Sequence, residues 1–207
     1  MEFTPQQAAT LAEIMLWRRD VRHFLADPVP EEVLERLRLA MDHTPSVGNA
    51  RPWRVIRVES PNLRAAVRAE FERCNQNAAA SYEGEQAAAY TKLKLAGLDA
   101  APVQLAVFTE TDPEAGHRLG RATMELTLQQ STAMAIFALW LTARAENLGV
   151  GAVSILEPRV MERLFRVPER WEFSAYLCIG KPAFTDDTPL LHRAEWQRNE
   201  ETVWERR

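Results

Sequence analysis

Cysteine is scarce in this chain: Cys74 and Cys178 are the only two among 207 residues, far apart and without a C-x-x-C pair. That excludes a disulfide framework and a Cys-rich zinc site, and makes a reducing cytoplasm the expected home. Basic excess is missing too, since 25 Lys and Arg against 29 Asp and Glu leave a net charge of −4. A general nucleic-acid binder carries the opposite balance. Apolar runs of membrane length are lacking. The longest, Ser131 to Ala143, has 13 residues and is bracketed by Gln129, Gln130 and Arg144, whereas a spanning helix needs about 20. It reads as a buried helix, and no membrane partner is expected. The first residues, MEFTPQQAATLAEIMLWRRD, show no basic region leading into an apolar core and a small-residue cleavage site, so the protein is expected to stay where it is made.

Several catalytic signatures are absent as well. No G-x-G-x-x-G or G-x-x-x-x-G-K-[ST] follows a strand pattern, which removes the usual dinucleotide and triphosphate cradles. The four histidines, His23, His43, His117 and His192, form no H-x-x-x-H pair; they read as surface or turn residues, and no metal is expected. Ser154 in G-V-G-A-V-S does not sit in a G-x-S-x-G elbow, a poor fit to a serine hydrolase.

What remains is a chain that is 46% hydrophobic, without internal repeat or linker, enough for one domain over residues 1–207. Helical spacing covers Pro5 to Trp17, Pro30 to Met41, Pro61 to Cys74, Gln86 to Ala96, Thr123 to Asn147 and Arg159 to Phe165. Strand patterns cover Trp53 to Glu59, Val103 to Thr109, Gly151 to Leu156 and Ala175 to Gly180. Gly149 suits a residue just past the long helix, and Asn75 to Glu85 reads as a polar connection that could serve as a mobile lid. Helices and strands interleave without regular βαβ alternation, so an α+β sandwich is expected rather than a doubly wound sheet. The long helix is apolar on nearly every face, more than a small monomer covers, which points to a second copy. The tail from Lys181 to Arg207 holds Trp196 and Trp204, too apolar to be left free in water.

Two stretches carry chemistry. Arg18-Arg19-Asp20-Val21-Arg22 is either a solvated helix end, where arginines favour the negative dipole, or an anion clamp, because guanidinium forks match phosphate oxygens. If the helix continued through it, Arg18 and Arg22 would share a face and Arg19 would point elsewhere. Pro45-Ser46-Val47-Gly48 followed by Pro52-Trp53 puts a hydroxyl, backbone-permissive residues and an aromatic plane on one loop, groups suited to a flat heterocycle.

With RRDVRHF at Arg18 to Phe24, PSVG at Pro45 to Gly48 and PWR at Pro52 to Arg54, the chain resembles the FMN-dependent nitroreductase family. LKLAGL at Leu93 to Leu98, LGRATM at Leu119 to Met124, GVGAVSIL at Gly149 to Leu156 and AYLCIGKP at Ala175 to Pro182 extend the likeness over nearly its whole length. Within that family it is similar to the 5,6-dimethylbenzimidazole synthases, which take reduced FMN and O2 and cleave the flavin to make the lower ligand of cobalamin. Asp20, where the wider family usually has Ser, together with Ser154 is the synthase-like pairing; Arg51, Glu125 and Gln130 depart from the synthase pattern.

The resemblance implies a nitroreductase-like α/β sandwich, a domain-swapped homodimer with FMN in each of two interface pockets, and a lid at about 75–98. It implies FMN-binding roles for Arg18, Arg19, Arg22, Ser46, Leu95, Ser154 and Arg193. Arg18, Arg22 and Arg193 match positions that hold the phosphate and ribityl chain, and Ser46 lies on a loop that comes from the other subunit. Asp20 becomes the candidate for proton transfer, with an ion pair that merely orders Arg19 or Arg22 as its bland alternative. Ser154 becomes the candidate for a hydrogen bond near the flavin ring nitrogen. Electrons would come from a separate flavin reductase or NAD(P)H. Two alternatives stay open: a nitroreductase or reductive-dehalogenase relative that keeps its FMN intact, and a flavin carrier without turnover.

Overall fold

The computed structural model describes residues 1–93 and 95–207. Four strands, β1 (Trp53–Arg57), β2 (Val103–Glu110), β3 (Gly149–Val153) and β4 (Trp171–Gly180), form one sheet in the order β1-β2-β4-β3, with each neighbouring pair antiparallel. The sheet is packed on both faces, because side chains alternate along its strands. Ala106, Phe108, Tyr176 and Cys178 face a core shared with α3 (Pro61–Ala79) and α6 (Pro158–Phe165). Val103, Val107, Leu177 and Ile179 face a second core with α2 (Glu31–Asp42) and α5 (Thr127–Ala145). The result is the expected α+β sandwich.

The long helix α5 earns its place by spacing: Leu128, Ser131, Thr132, Ala135, Leu139 and Ala143 make one buried stripe. Its other side leaves Met134 and Phe137 exposed. The first helix, α1 (Pro5–Trp17), begins with a capping box between Thr4 and Gln7 but buries no residue of its own, and Leu11, Met15 and Leu16 lie open.

The first helix ends at Trp17 as expected: Arg18 already has extended φ/ψ and the chain beyond pairs with the sheet, so Arg18 and Arg22 do not share a helix face. Three expectations need correction. Gly149 is not the residue that ends α5. Asn147 takes the left-handed conformation there, and Gly149 belongs to β3, where a side chain would meet Val21 at 2.6 Å. The connection expected to begin at Asn75 is helical through Ala79, with α4 (Gly84–Lys92) coming shortly after. Trp204 stands 88% exposed, whereas Trp196 packs as expected.

Candidate functional site

The segment after α1 is extended and held from two sides. Asp20 pairs with Val150 at the start of β3, and the Val21 amide donates to the Val150 carbonyl at 3.0 Å. On the other side the Leu25 amide donates to Lys181 and the Ala183 amide to His23, both at 2.9 Å. Phe24 drops into the core. With its backbone fixed between β3 and the residues that follow β4, this stretch directs its charged side chains to defined places.

Each side chain has its own anchor. Both Asp20 carboxylate oxygens are engaged: Oδ1 accepts from the Ala152 amide and Oδ2 from Arg22 Nε, each at 2.9 Å. Arg22 is only 13% exposed. The ion-pair alternative for Asp20 is therefore realised with Arg22. Arg18 lies over the rings of Trp140 (5.1 Å) and Phe137 (5.9 Å), cation–π contacts with α5. Arg19 folds back to donate to the carbonyls of Leu16, Arg18 and Asp187. Among the described residues its Nε is buried without a hydrogen-bond partner. Burial, helped by the neighbouring Arg18 charge, holds its pKa below the usual arginine value against the pull of Asp187 and Asp186.

Across from this segment lies the C-terminal arm, which carries α7 (Leu190–Arg193). Arg193 donates to Asp186 at 2.8 Å. A cleft between the two is lined by Arg18, Arg19, Arg22, Arg144 and Arg193, with Asp20 and Asp186 as its acids and Trp17, Trp140 and Phe184 as its apolar planes. Five guanidinium groups against two carboxylates suit a multiply charged anion such as a phosphate ester, and the aromatic planes suit a flat partner beside it.

Five of the sequence-derived candidates, Arg18, Arg19, Asp20, Arg22 and Arg193, thus meet in one cleft. Ser154, Ser46 and Leu95 lie outside its lining. Ser154 is exposed two residues beyond Ala152, whose amide Asp20 binds. The Ser46 hydroxyl accepts from the Arg51 amide at 3.0 Å, on a loop pinned to α5 by the Val47 amide and Ser131. Leu95 is half-buried ahead of Leu98. Sequence reasoning does not find Arg144 and Asp186 as cleft residues: Arg144 is visible only as the charge that ends an apolar run, and Asp186 only as a turn acid.

The Nitroreductase family model matches residues 15–181. This chain belongs to the nitroreductase family. A Rhodobacter capsulatus protein named 5,6-dimethylbenzimidazole synthase is 63% identical to it over the full length of both chains. A Rhodospirillum rubrum protein of the same name is 47% identical, covering 94% of this chain and 92% of the relative. Among solved structures, oxidized iodotyrosine deiodinase bound to FMN and 3-iodo-L-tyrosine superposes with a TM-score of 0.76 at 23% identity, covering 95% of this chain and 99% of that one. A nitroreductase family protein from Clostridium difficile 630 gives 0.63 at 19% identity, covering 93% and 91%. These structural likenesses establish the fold shared with the family. Among the described residues no helix is long and apolar enough to cross a membrane.

Proposed function

We propose that this nitroreductase-family enzyme is a 5,6-dimethylbenzimidazole synthase, which takes reduced FMN and O2 and cleaves the flavin to yield the lower ligand of cobalamin. The observation that carries the reading is the 63% identity, end to end, with a relative of that name; the arginine cleft supplies the chemistry it needs. The flavin supplies the redox chemistry, while the protein binds, orients and keeps water out.

In this reading Arg18, Arg22 and Arg193 hold the phosphate and ribityl end. Arg19, whose donors already serve three backbone carbonyls, orders the cleft wall. Asp20 has two tasks: its Oδ2 keeps Arg22 aimed, and its carboxylate is the proton acceptor nearest the ribityl end. Accepting a proton at Oδ2 loosens the Arg22 contact, so proton transfer and phosphate grip are coupled in one side chain. Ser154, beyond the end of β3, serves the ring end, as does Ser46 from a second subunit. The segment at about 75–98 acts as the lid and the stretch at about 181–207 as the arm of one domain.

The second subunit has a place to sit. Exposed Leu11, Met15 and Leu16 of α1 and Met134 and Phe137 of α5 leave apolar surface that a domain-swapped homodimer would cover. Electrons arrive from outside, from a flavin reductase or NAD(P)H, in a cytoplasmic setting.

Aerobic incubation with chemically reduced FMN, followed by mass spectrometry, tests the proposal. Loss of flavin with appearance of a dimethylated benzimidazole is expected. Recovery of all flavin as intact oxidised FMN rejects the synthase and leaves a flavin-retaining relative in its place.

A further inference from the structure

The cleft and the lid meet on one element, the C-terminal arm. Its Trp196 lies edge-on to Tyr82, with ring centroids 5.4 Å apart, and tilted against Tyr90 at 6.1 Å. Tyr82 and Tyr90 are themselves stacked at 4.8 Å. Tyr82 lies in the turn before α4 and Tyr90 in its last turn, and the Tyr90 hydroxyl donates to Asn75 Oδ1 at 2.7 Å, tying α4 back onto α3. Trp196 is therefore the arm's contribution to a three-ring cluster whose other two rings are on the lid segment.

The same short element reaches the anion cleft. Trp196 is fixed to α7 by its amide, which donates to the Leu191 carbonyl at 2.9 Å. Arg193, three residues earlier, is the arm's cation in the cleft and rests against Asp186. A crevice between α4 and α7, lined by Ala88, Ala89, Leu93 and Trp196, shares His23 and Leu190 with the cleft. Arg193 and Trp196 thus stand three residues apart on one element, the first in the cleft and the second against the tyrosines of α3–α4.

We propose that Trp196 is a positioning residue that clasps the lid helix α4 and couples its closure to occupancy of the arginine cleft. The molecule then has two states: a clasped one, with the three rings together and Arg193 seated, and an unclasped one, in which α4 is free to open. Coupling of this kind is reciprocal: whatever the clasp adds to anion affinity, the anion adds to lid closure. The inference builds on the flavin-phosphate reading of the cleft but needs no turnover.

Limited chymotrypsin digestion of the full chain tests it, with cleavage after Tyr82 and Tyr90 followed by mass spectrometry, with and without saturating oxidised FMN. FMN is expected to slow both cleavages in the parent. Two lost aromatic contacts raise the open population, so Trp196→Ala is expected to be cut about tenfold faster without ligand and to lose the protection by FMN. Trp196→Phe, which keeps a ring and guards against a simple folding defect, is expected to restore both. Equal digestion of parent and Trp196→Ala, or protection by FMN that survives the substitution, overturns the proposal. A chain that fails to fragment reduced flavin can still give the expected digestion pattern, so the two readings fail separately.

Discussion

Segment 20–25 and the arm at 184–196 face each other across one cleft and are held by different means. The first is laced by backbone hydrogen bonds to Val150 of β3 on one side and to Lys181 and Ala183, just past β4, on the other, with each oxygen of its carboxylate engaged. The second is joined to the rest by the grip of Arg19 on the Asp187 carbonyl and by Phe184 against His23 and Trp196 against Tyr82, with the Arg193–Asp186 ion pair internal to it. An exposed ion pair contributes little on its own, about 0–1 kcal/mol, whereas a strand-paired segment moves only if the sheet does. The first wall is tied down through its backbone, and the second is held mainly through side chains.

If the fixed wall also carries the chemistry, Asp20→Asn should be the most costly change. Flavin fragmentation should fall by about 10²–10⁴-fold, the usual loss for a missing general base. The amide keeps an acceptor for Ala152 but turns a donor toward Arg22 Nε, so FMN affinity should weaken as well; parent-like fragmentation in a product assay would break the assignment. Gly151→Ala attacks the same wall through its backbone, because the added carbon would run into the Val21 carbonyl oxygen. That oxygen is backbone and not the flexible end of a side chain, so a loss of about 3 kcal/mol or an unfolded chain is expected in thermal melts.

Arg22→Ala should raise the dissociation constant for FMN by about 10–100-fold, as removal of a charge-assisted contact of about 1.5–3 kcal/mol does. Arg19→Ala should cost less affinity and more stability, since its donors serve backbone carbonyls. Titration calorimetry on the two variants separates these outcomes, and equal affinities would contradict the assignment. On the looser wall, Arg193→Ala should weaken FMN less than Arg22→Ala does, because its side chain is already 43% exposed.

Glu70 is the distant control. Buried at the junction of α3 and α6, it accepts from Arg73, Cys74 and the Glu157 amide. The Arg73 hydrogen bonds, before any other cause, draw its pKa down to about 2 from 4.5. A depressed carboxylate pKa stabilises the fold above the unfolded value and is lost as pH falls through the folded one. Glu70→Gln should therefore flatten the decline of stability between pH of about 4.5 and about 2 and leave FMN affinity at neutral pH unchanged. Denaturant melts across that range check it.

Much of this organisation is legible in the amino-acid sequence. Apolar spacing predicts α1 and α5 to within a few residues, because a buried helix face has to repeat about every 3.6 residues. The arginine run marks the cleft, since so many cations in five residues ask for a counter-charge. What local pattern cannot carry is pairing across the chain. The Asp20 bond to Ala152 spans 132 residues; nothing near Arg18 says that the helix ends there because a strand captures the next residues. Arg144 and Asp186 enter the cleft for the same reason, each brought there by an element packed from elsewhere. Ser46, Leu95 and Ser154 match their motifs but stand outside the cleft lining, for the same reason.

The central claim, that the arginine cleft is the phosphate end of a flavin site, is tested most directly by titrating the purified protein with FMN and with riboflavin, which differs only in lacking the phosphate. Tighter binding of FMN by at least about 100-fold is expected from two or more charge-assisted contacts, with the preference reduced in Arg22→Ala. Equal affinity for the two flavins would contradict the account.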